Sequence, residues 1–96
     1  MARDQRYDTE DTVENHLKTV VRSMGGQCLK VRLIRGFPDR VVLLPGGRIL
    51  FAELKRPMGG KFEPLQLRWH AKLRALGFHV VVWHTKASVT RDLLET

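Results

Sequence analysis

Gly36-Phe37-Pro38-Asp39-Arg40-Val41-Val42-Leu43-Leu44-Pro45-Gly46-Gly47-Arg48-Ile49-Leu50-Phe51-Ala52-Glu53-Leu54-Lys55 is the stretch from which the rest of the chain can be read. Arg40 to Leu44 is an apolar, partly β-branched run, Pro45-Gly46-Gly47 is turn chemistry, and Arg48 to Ala52 is a second apolar run. Apolar runs joined by a short Pro/Gly turn predict a β-hairpin. With Pro45 to Gly47 as a three-residue loop, Leu44 faces Arg48 and, counting back, Asp39 faces Glu53. Directly opposed residues of an antiparallel pair point to one side, with Cβ atoms about 4.5–5.5 Å apart. Lys55, two residues beyond Glu53, shares that side. A two-residue loop would shift the register by one and send Asp39 to the other face.

Like charges directly across a sheet repel. A hard cation such as Mg²⁺ removes the conflict, because it takes oxygen ligands and keeps waters for substrate phosphates. The ammonium of Lys55 then suits the nucleophile or the phosphate of a phosphodiester reaction. The competing reading is a strand-end aspartate turning at Pro38 and an unrelated Glu/Lys pair on a solvated strand. The apolar context favours the metal site, since Glu53 and Lys55 end a run too hydrophobic for a freely solvated strand.

Outward from the hairpin, residues 1–8 read as a frayed, charged arm. A helix starts at Asp8 or Thr9, both good N-caps, with Glu10 and Asp11 favourable in its first turn. Val13, Leu17, Val20, Val21 and Met24 recur at helical spacing, and Gly25-Gly26 stops the run. Glu14 lies on or beside that apolar stripe, where a carboxylate needs a partner. On spacing alone it is equally well read as an edge residue snorkelling to water. Gln27 to Leu33 predicts a first strand and Ile34 to Pro38 a connecting bend. Arg56 to Glu63 is a loop. A second helix opens at Pro64, a favoured first-turn residue, and closes at Gly77, with Leu65, Trp69, Leu73 and Leu76 as its core face. Gln66 is in its first turn, on sequence alone an ordinary exposed glutamine. Phe78 to Trp83 is an apolar strand expected inside the sheet, and Thr85 or Ser88 caps a last short helix ending near Glu95.

The chain has 96 residues and a formal net charge of +7, one small domain whose charge points to a polyanion. Lys30, Arg32, Arg35 and Arg40 lead into the proposed site, Lys55, Arg56 and Lys61 leave it, and Arg68, Lys72 and Arg74 line the next helix. Arg35, Arg40, Arg56, Lys61, Arg68 and Lys72 are the expected DNA contacts. Cys28 is the sole cysteine, which excludes an internal disulfide and a thiolate zinc cluster and fits a cytoplasmic setting. No apolar run approaches the roughly 20 residues of a membrane span, and the polar start lacks a signal-peptide block. Pro45-Gly46-Gly47 is followed by no Lys-Ser or Lys-Thr pair, so no P-loop and no nucleotide cofactor are expected. His16, His70, His79 and His84 show no zinc-ligand spacing. His70 reads as a helix-surface residue within reach of DNA.

Gly36-Phe37-Pro38-Asp39, the hairpin and Glu53-Leu54-Lys55 together resemble the PD-(D/E)XK nuclease superfamily. The G-x-P-D form with Pro64-Leu65-Gln66 is similar to its VRR-NUC branch, the virus-type replication and repair nucleases. The resemblance runs from the helix carrying Glu14 to the strand ending near Trp83. It implies an α/β, restriction-endonuclease-like core of order αβββαβ(α), a mixed sheet flanked by helices. It also implies an Mg²⁺- or Mn²⁺-dependent endonuclease. Asp39, Glu53 and the Leu54 carbonyl would be ligands, Glu14 would complete the metal site, Lys55 would orient or activate water, and Gln66 would lie beside that lysine. Stand-alone relatives of viral or prophage type imply a homodimer cutting branched DNA, above all Holliday junctions. Flap- or nick-directed cleavage, and a non-catalytic DNA-binding module on the same fold, are the alternatives.

Overall fold

Glu10–Ser23 forms the first helix, α1, because four apolar residues fall on one side of it and its start is closed by side chains. Val13, Leu17, Val20 and Val21 are buried. Thr9 Oγ1 accepts from the Thr12 N–H at 3.1 Å, and the Thr9 N–H donates to Thr12 Oγ1 at 2.7 Å. This reciprocal box satisfies two donors that a helix start leaves open. The computed structural model describes residues 8–32, 34–56 and 60–95. After α1 come β1 (Gln27–Lys30), β2 (Arg40–Leu44), β3 (Arg48–Leu54), α2 (Pro64–Ala75), β4 (His79–Trp83) and α3 (Lys86–Leu94). This is the expected α/β order, αβββαβα.

The hairpin loop is the three-residue turn Pro45–Gly47, with Gly46 and Gly47 at φ +81° and +78°. Two successive left-handed residues need glycine. Leu44 therefore pairs with Arg48, and the register runs back through Val42–Leu50 to Arg40–Ala52. β1 pairs antiparallel with β2, and β4 lies parallel to β3, giving a mixed sheet of order β1-β2-β3-β4. Joining parallel β3 to β4 needs a crossover, which α2 supplies.

The sheet has two unlike faces. Cys28, Val42, Leu44, Leu50, Ala52, Leu54, Val81 and Trp83 pack against α1 and against Val89 and Leu93 of α3 in one core cluster. Within this layer the Trp83 indole N–H donates to Asp92 Oδ2 at 2.8 Å, and His16 Nε2 meets Thr90 Oγ1 at 2.8 Å. The alternate residues, Val41, Leu43, Ile49, Phe51 and Glu53, turn to the other face by the period-2 rule. There Phe51 packs edge-on against Phe37 and Phe78, Phe37 meets Trp69, and α2 lies against β4.

Four expectations need correction. β1 ends at Lys30 rather than continuing to Leu33, which lies outside the described residues, as do residues 1–7, 57–59 and 96. Asp8, assigned to a frayed arm, is 6 % exposed and accepts from the Lys86 N–H at 3.0 Å, at the start of α3. β4 is an edge strand, and its apolar run reflects helices on both faces rather than strands on both sides. The buried residues of α2 are His70 and Leu73, with Leu65 and Trp69 half-buried, while Leu76 is 73 % exposed. Among the described residues no helix is long and apolar enough to cross a membrane.

Candidate active site

The bend before β2 delivers Asp39. Gly36 sits there at φ +82°, and a Cβ on it would fall 2.6 Å from the Leu65 side chain, so glycine alone lets the bend close on α2. One step beyond the Arg40–Ala52 pair, Asp39 comes opposite Glu53. Its Oδ2 accepts from the Leu54 N–H at 3.3 Å. Glu53 is 1 % exposed. Burial pushes its carboxyl up to about 8, reinforced by the hydrogen-bonding contact and charge of Asp39 and by Glu10, with Lys55 pulling the other way. Burial beside Asp39 thus favours the protonated Glu53 carboxyl unless a cation takes the proton's place.

Lys55 is fixed from several sides. Its backbone N–H continues the pairing to Trp83 O at 3.1 Å. Its ammonium donates to Lys61 O at 2.9 Å and to Gln66 Oε1 at 3.1 Å, and lies 4.9 Å from the centre of the Phe62 ring. Gln66 Oε1 also accepts from the Glu63 N–H at 2.9 Å. The expected proximity of Gln66 to Lys55 is therefore a direct contact.

Glu14 is engaged differently from expectation. Its carboxylate pairs with the Arg40 guanidinium and, at 3.3 Å, with Lys18. Partial burial raises its pKa, but the Lys18 hydrogen bond and the charges of Arg40 and Lys30 outweigh this and leave it below the usual carboxylate range. Arg40, expected at the DNA surface, is 4 % exposed. That expectation is corrected: Arg40 shares the side of β2 that carries Val42 and Leu44, and it neutralises Glu14 internally. The other expected DNA contacts, Arg35, Arg56, Lys61, Arg68 and Lys72, are exposed.

Two cavities flank these groups. One, about 220 Å³, is lined by Glu10, Glu14, Lys30, Arg32, Asp39 and Leu54 among others. The second, about 410 Å³, lies between Arg35 and Arg68 and is bordered by Gly36, Glu63 and Gln66. Sequence reasoning assigned Glu10 to the helix dipole alone. It stands one turn before Glu14, lines the same cavity as Asp39 and raises the Glu53 pKa. It was also silent on Phe62, and it put His70 on the surface. His70 is 2 % exposed, with Nε2 3.7 Å from Glu53 Oε1, and the signal for it was the one-turn spacing from Gln66. Burial, then Arg74 and Lys55, lowers the His70 pKa, favouring the neutral imidazole.

Among the described residues no group of three or more His, Cys, Asp or Glu side chains is disposed as a metal cage. The oxygen donors present suit the other style of site, one or two carboxylates with water and substrate completing the shell, as Mg²⁺ prefers. The buried Glu53 carboxyl, pushed up to about 8 beside Asp39, agrees with that fit.

No family model matches the sequence. The chain is 51 % identical over 79 residues to "Putative nuclease p44" of Acyrthosiphon pisum secondary endosymbiont phage 1, an overlap of 80 % of this chain and 84 % of that protein. A solved structure described as a "VRR_NUC domain" is similar with a TM-score of 0.76 at 32 % identity, covering 88 % of this chain and 94 % of that one. The overlap takes in nearly the whole of both structures, and the chain belongs to the VRR-NUC domain family.

Proposed function

We propose that this chain is a divalent-metal-dependent endonuclease that hydrolyses phosphodiester bonds in DNA. One observation carries the reading: Asp39 and Glu53 stand opposed with Glu53 almost wholly buried, beside a lysine held by Gln66. A fold that needed only stability would not bury the Glu53 carboxyl facing a second, half-buried one.

Asp39, Glu53 and the Leu54 carbonyl would hold Mg²⁺ or Mn²⁺, with Glu10 and Glu14 at the rim. The bound cation would polarise a phosphoryl oxygen and lower the pKa of a coordinated water. Lys55, with two of its donors already committed, has a third to offer an attacking water or a phosphate oxygen. Gln66 fixes where that donor points. Arg35, Arg68, Lys61 and Lys72 would track the DNA backbone, making binding salt-sensitive. Arg35 and Arg68 flank the larger cavity next to Gln66, which supports a strand path past Lys55.

The substrate we favour is branched DNA, above all the Holliday junction, cut by a homodimer in the cytoplasm. One small domain carries one site, and a four-way junction must be cut on two strands. Leu29 and Ile49, on the sheet face opposite α1, are 46 % and 42 % exposed and support a self-complementary interface. The test is cleavage of labelled branched and linear duplexes with Mg²⁺, Mn²⁺ or EDTA, using the wild type, Asp39→Asn and Lys55→Ala. Metal-dependent cutting lost in both variants is the expected result. DNA binding without cleavage under every metal condition would sink the enzyme reading, and cleavage surviving both substitutions would mean another site.

A further inference from the structure

Resting on the metal-site reading above, we propose that His70 is a positioning residue. Its Nε2–H donates to Glu53 Oε1 and so fixes which oxygen of the Glu53 carboxylate is left to face the cation. The case begins with matched spacings. Gln66 and His70 are four residues apart on α2, about 6 Å at 1.5 Å per residue. Lys55 and Glu53 are two apart on the α2-facing side of β3, about 6.6 Å at 3.3 Å per residue. One turn of helix thus spans two residues of strand. Gln66 meets Lys55 at 3.1 Å, and His70 stands 3.7 Å from Glu53.

Burial makes the second pair more than a coincidence. His70 Nε2 and Glu53 Oε1 are both inaccessible, and among the described residues neither has a hydrogen-bond partner. They stand 3.7 Å apart, a few tenths of an ångström beyond bonding distance. A helix needing only a core residue here would carry an aliphatic side chain, as it does at Leu73. Phe62 closes the flank, its ring edge-on to His70 with centroids 5.7 Å apart and also against the Lys55 ammonium. α2 therefore carries both supports, one for the lysine and one for the carboxylate.

The experiment reads Mn²⁺ binding to the DNA-free protein by the loss of the free-ion paramagnetic resonance signal, with DNA cleavage alongside. Partners that orient a metal-bound carboxylate set affinity by about 10–100-fold. His70→Gln, whose amide nitrogen reaches the Nε2 position, is expected to keep Mn²⁺ affinity close to wild type. His70→Asn, also polar but too short, is expected to weaken it by about 10–100-fold. His70→Met, of similar length without a donor, carries the same expectation as Asn if the Asn variant does not fold. Melting curves without metal separate packing from positioning, because a purely structural role gives no difference in Mn²⁺ affinity between folded Gln and Asn or Met variants. That result overturns the proposal while leaving the metal site standing. Wild type that binds no Mn²⁺, or Asp39→Asn that binds it as wild type does, overturns the metal-site reading and this proposal with it.

Discussion

The two faces of the sheet are built from the same strands to opposite ends. Toward α1 and α3 the strands present Val42, Leu44, Leu50, Ala52, Leu54 and Trp83, all buried, and the indole N–H of Trp83 has its acceptor. Toward α2 the strands end in Asp39, Glu53 and Lys55, with an imidazole behind them and two buried polar atoms that have no hydrogen-bond partner among the described residues. The first face supplies stability. The second sets a buried carboxyl and an imidazole beside a lysine where apolar side chains would be more stable, the trade between stability and activity that sites commonly show.

The sharpest way to break this contrast is to substitute each face and read both properties. Asp39→Asn and Lys55→Ala are expected to lower cleavage by at least about a hundredfold, with a urea midpoint equal to or above that of the wild type. Leu17→Ala on the other face is expected to cost about 2–5 kcal/mol of stability, seen as a lower urea midpoint at unchanged slope. Its cleavage per folded molecule should remain. If Leu17→Ala also lost specific activity, or Asp39→Asn lost stability, the faces would not be separable in this way.

A second test uses pH. The Glu53 carboxyl titrates at about 8 in the folded chain against an ordinary 4.5. Folded protein therefore holds more protons than unfolded protein between those values, and metal-free stability falls as pH rises through that window. Thermal melts in EDTA should show a lower midpoint at pH 8.5 than at pH 5.5. Glu53→Gln, which cannot ionise, should flatten that fall and be the more stable protein at high pH. Mg²⁺ should oppose the fall in the wild type alone, and its apparent affinity should rise with pH as the proton leaves.

The hairpin was legible because its determinants are local: two apolar runs and a turn whose glycines allow a three-residue loop. That register carried Asp39, Glu53 and Lys55 with it. What stayed hidden depended on contacts between distant elements. Glu10 and Glu14 are one turn apart on α1, and choosing between them requires knowing that Arg40, 26 residues further on, pairs with Glu14. Arg40 itself was readable, since alternation puts it on the side of Val42 and Leu44, but its charge was read as part of a basic surface. The apolar run Phe78 to Trp83 predicts a central strand, whereas β4 stands at the edge of the sheet. Hydrophobicity on both sides of a strand reports what covers its faces and says nothing of its edges.

The smallest expected effects come from the helix starts, where one device serves different ends. Thr85 Oγ1 accepts from the Ser88 N–H at 3.2 Å at the start of α3, and that pair touches nothing in the site. At the start of α2, Gln66 Oε1 accepts from the Glu63 N–H and from the Lys55 ammonium together. Thr85→Ala should cost about 1 kcal/mol of stability and leave cleavage unchanged. Gln66→Ala should cost a similar amount and also lower cleavage by about tenfold, since a hydrogen bond to a charged group contributes roughly 1.5–3 kcal/mol. Gln66→Glu keeps an oxygen for both donors and should recover the stability and most of the rate. If Gln66→Ala and Thr85→Ala proved alike in both melting and cleavage assays, Gln66 would be an ordinary helix cap, and the asymmetry between the two faces would stop at the strands.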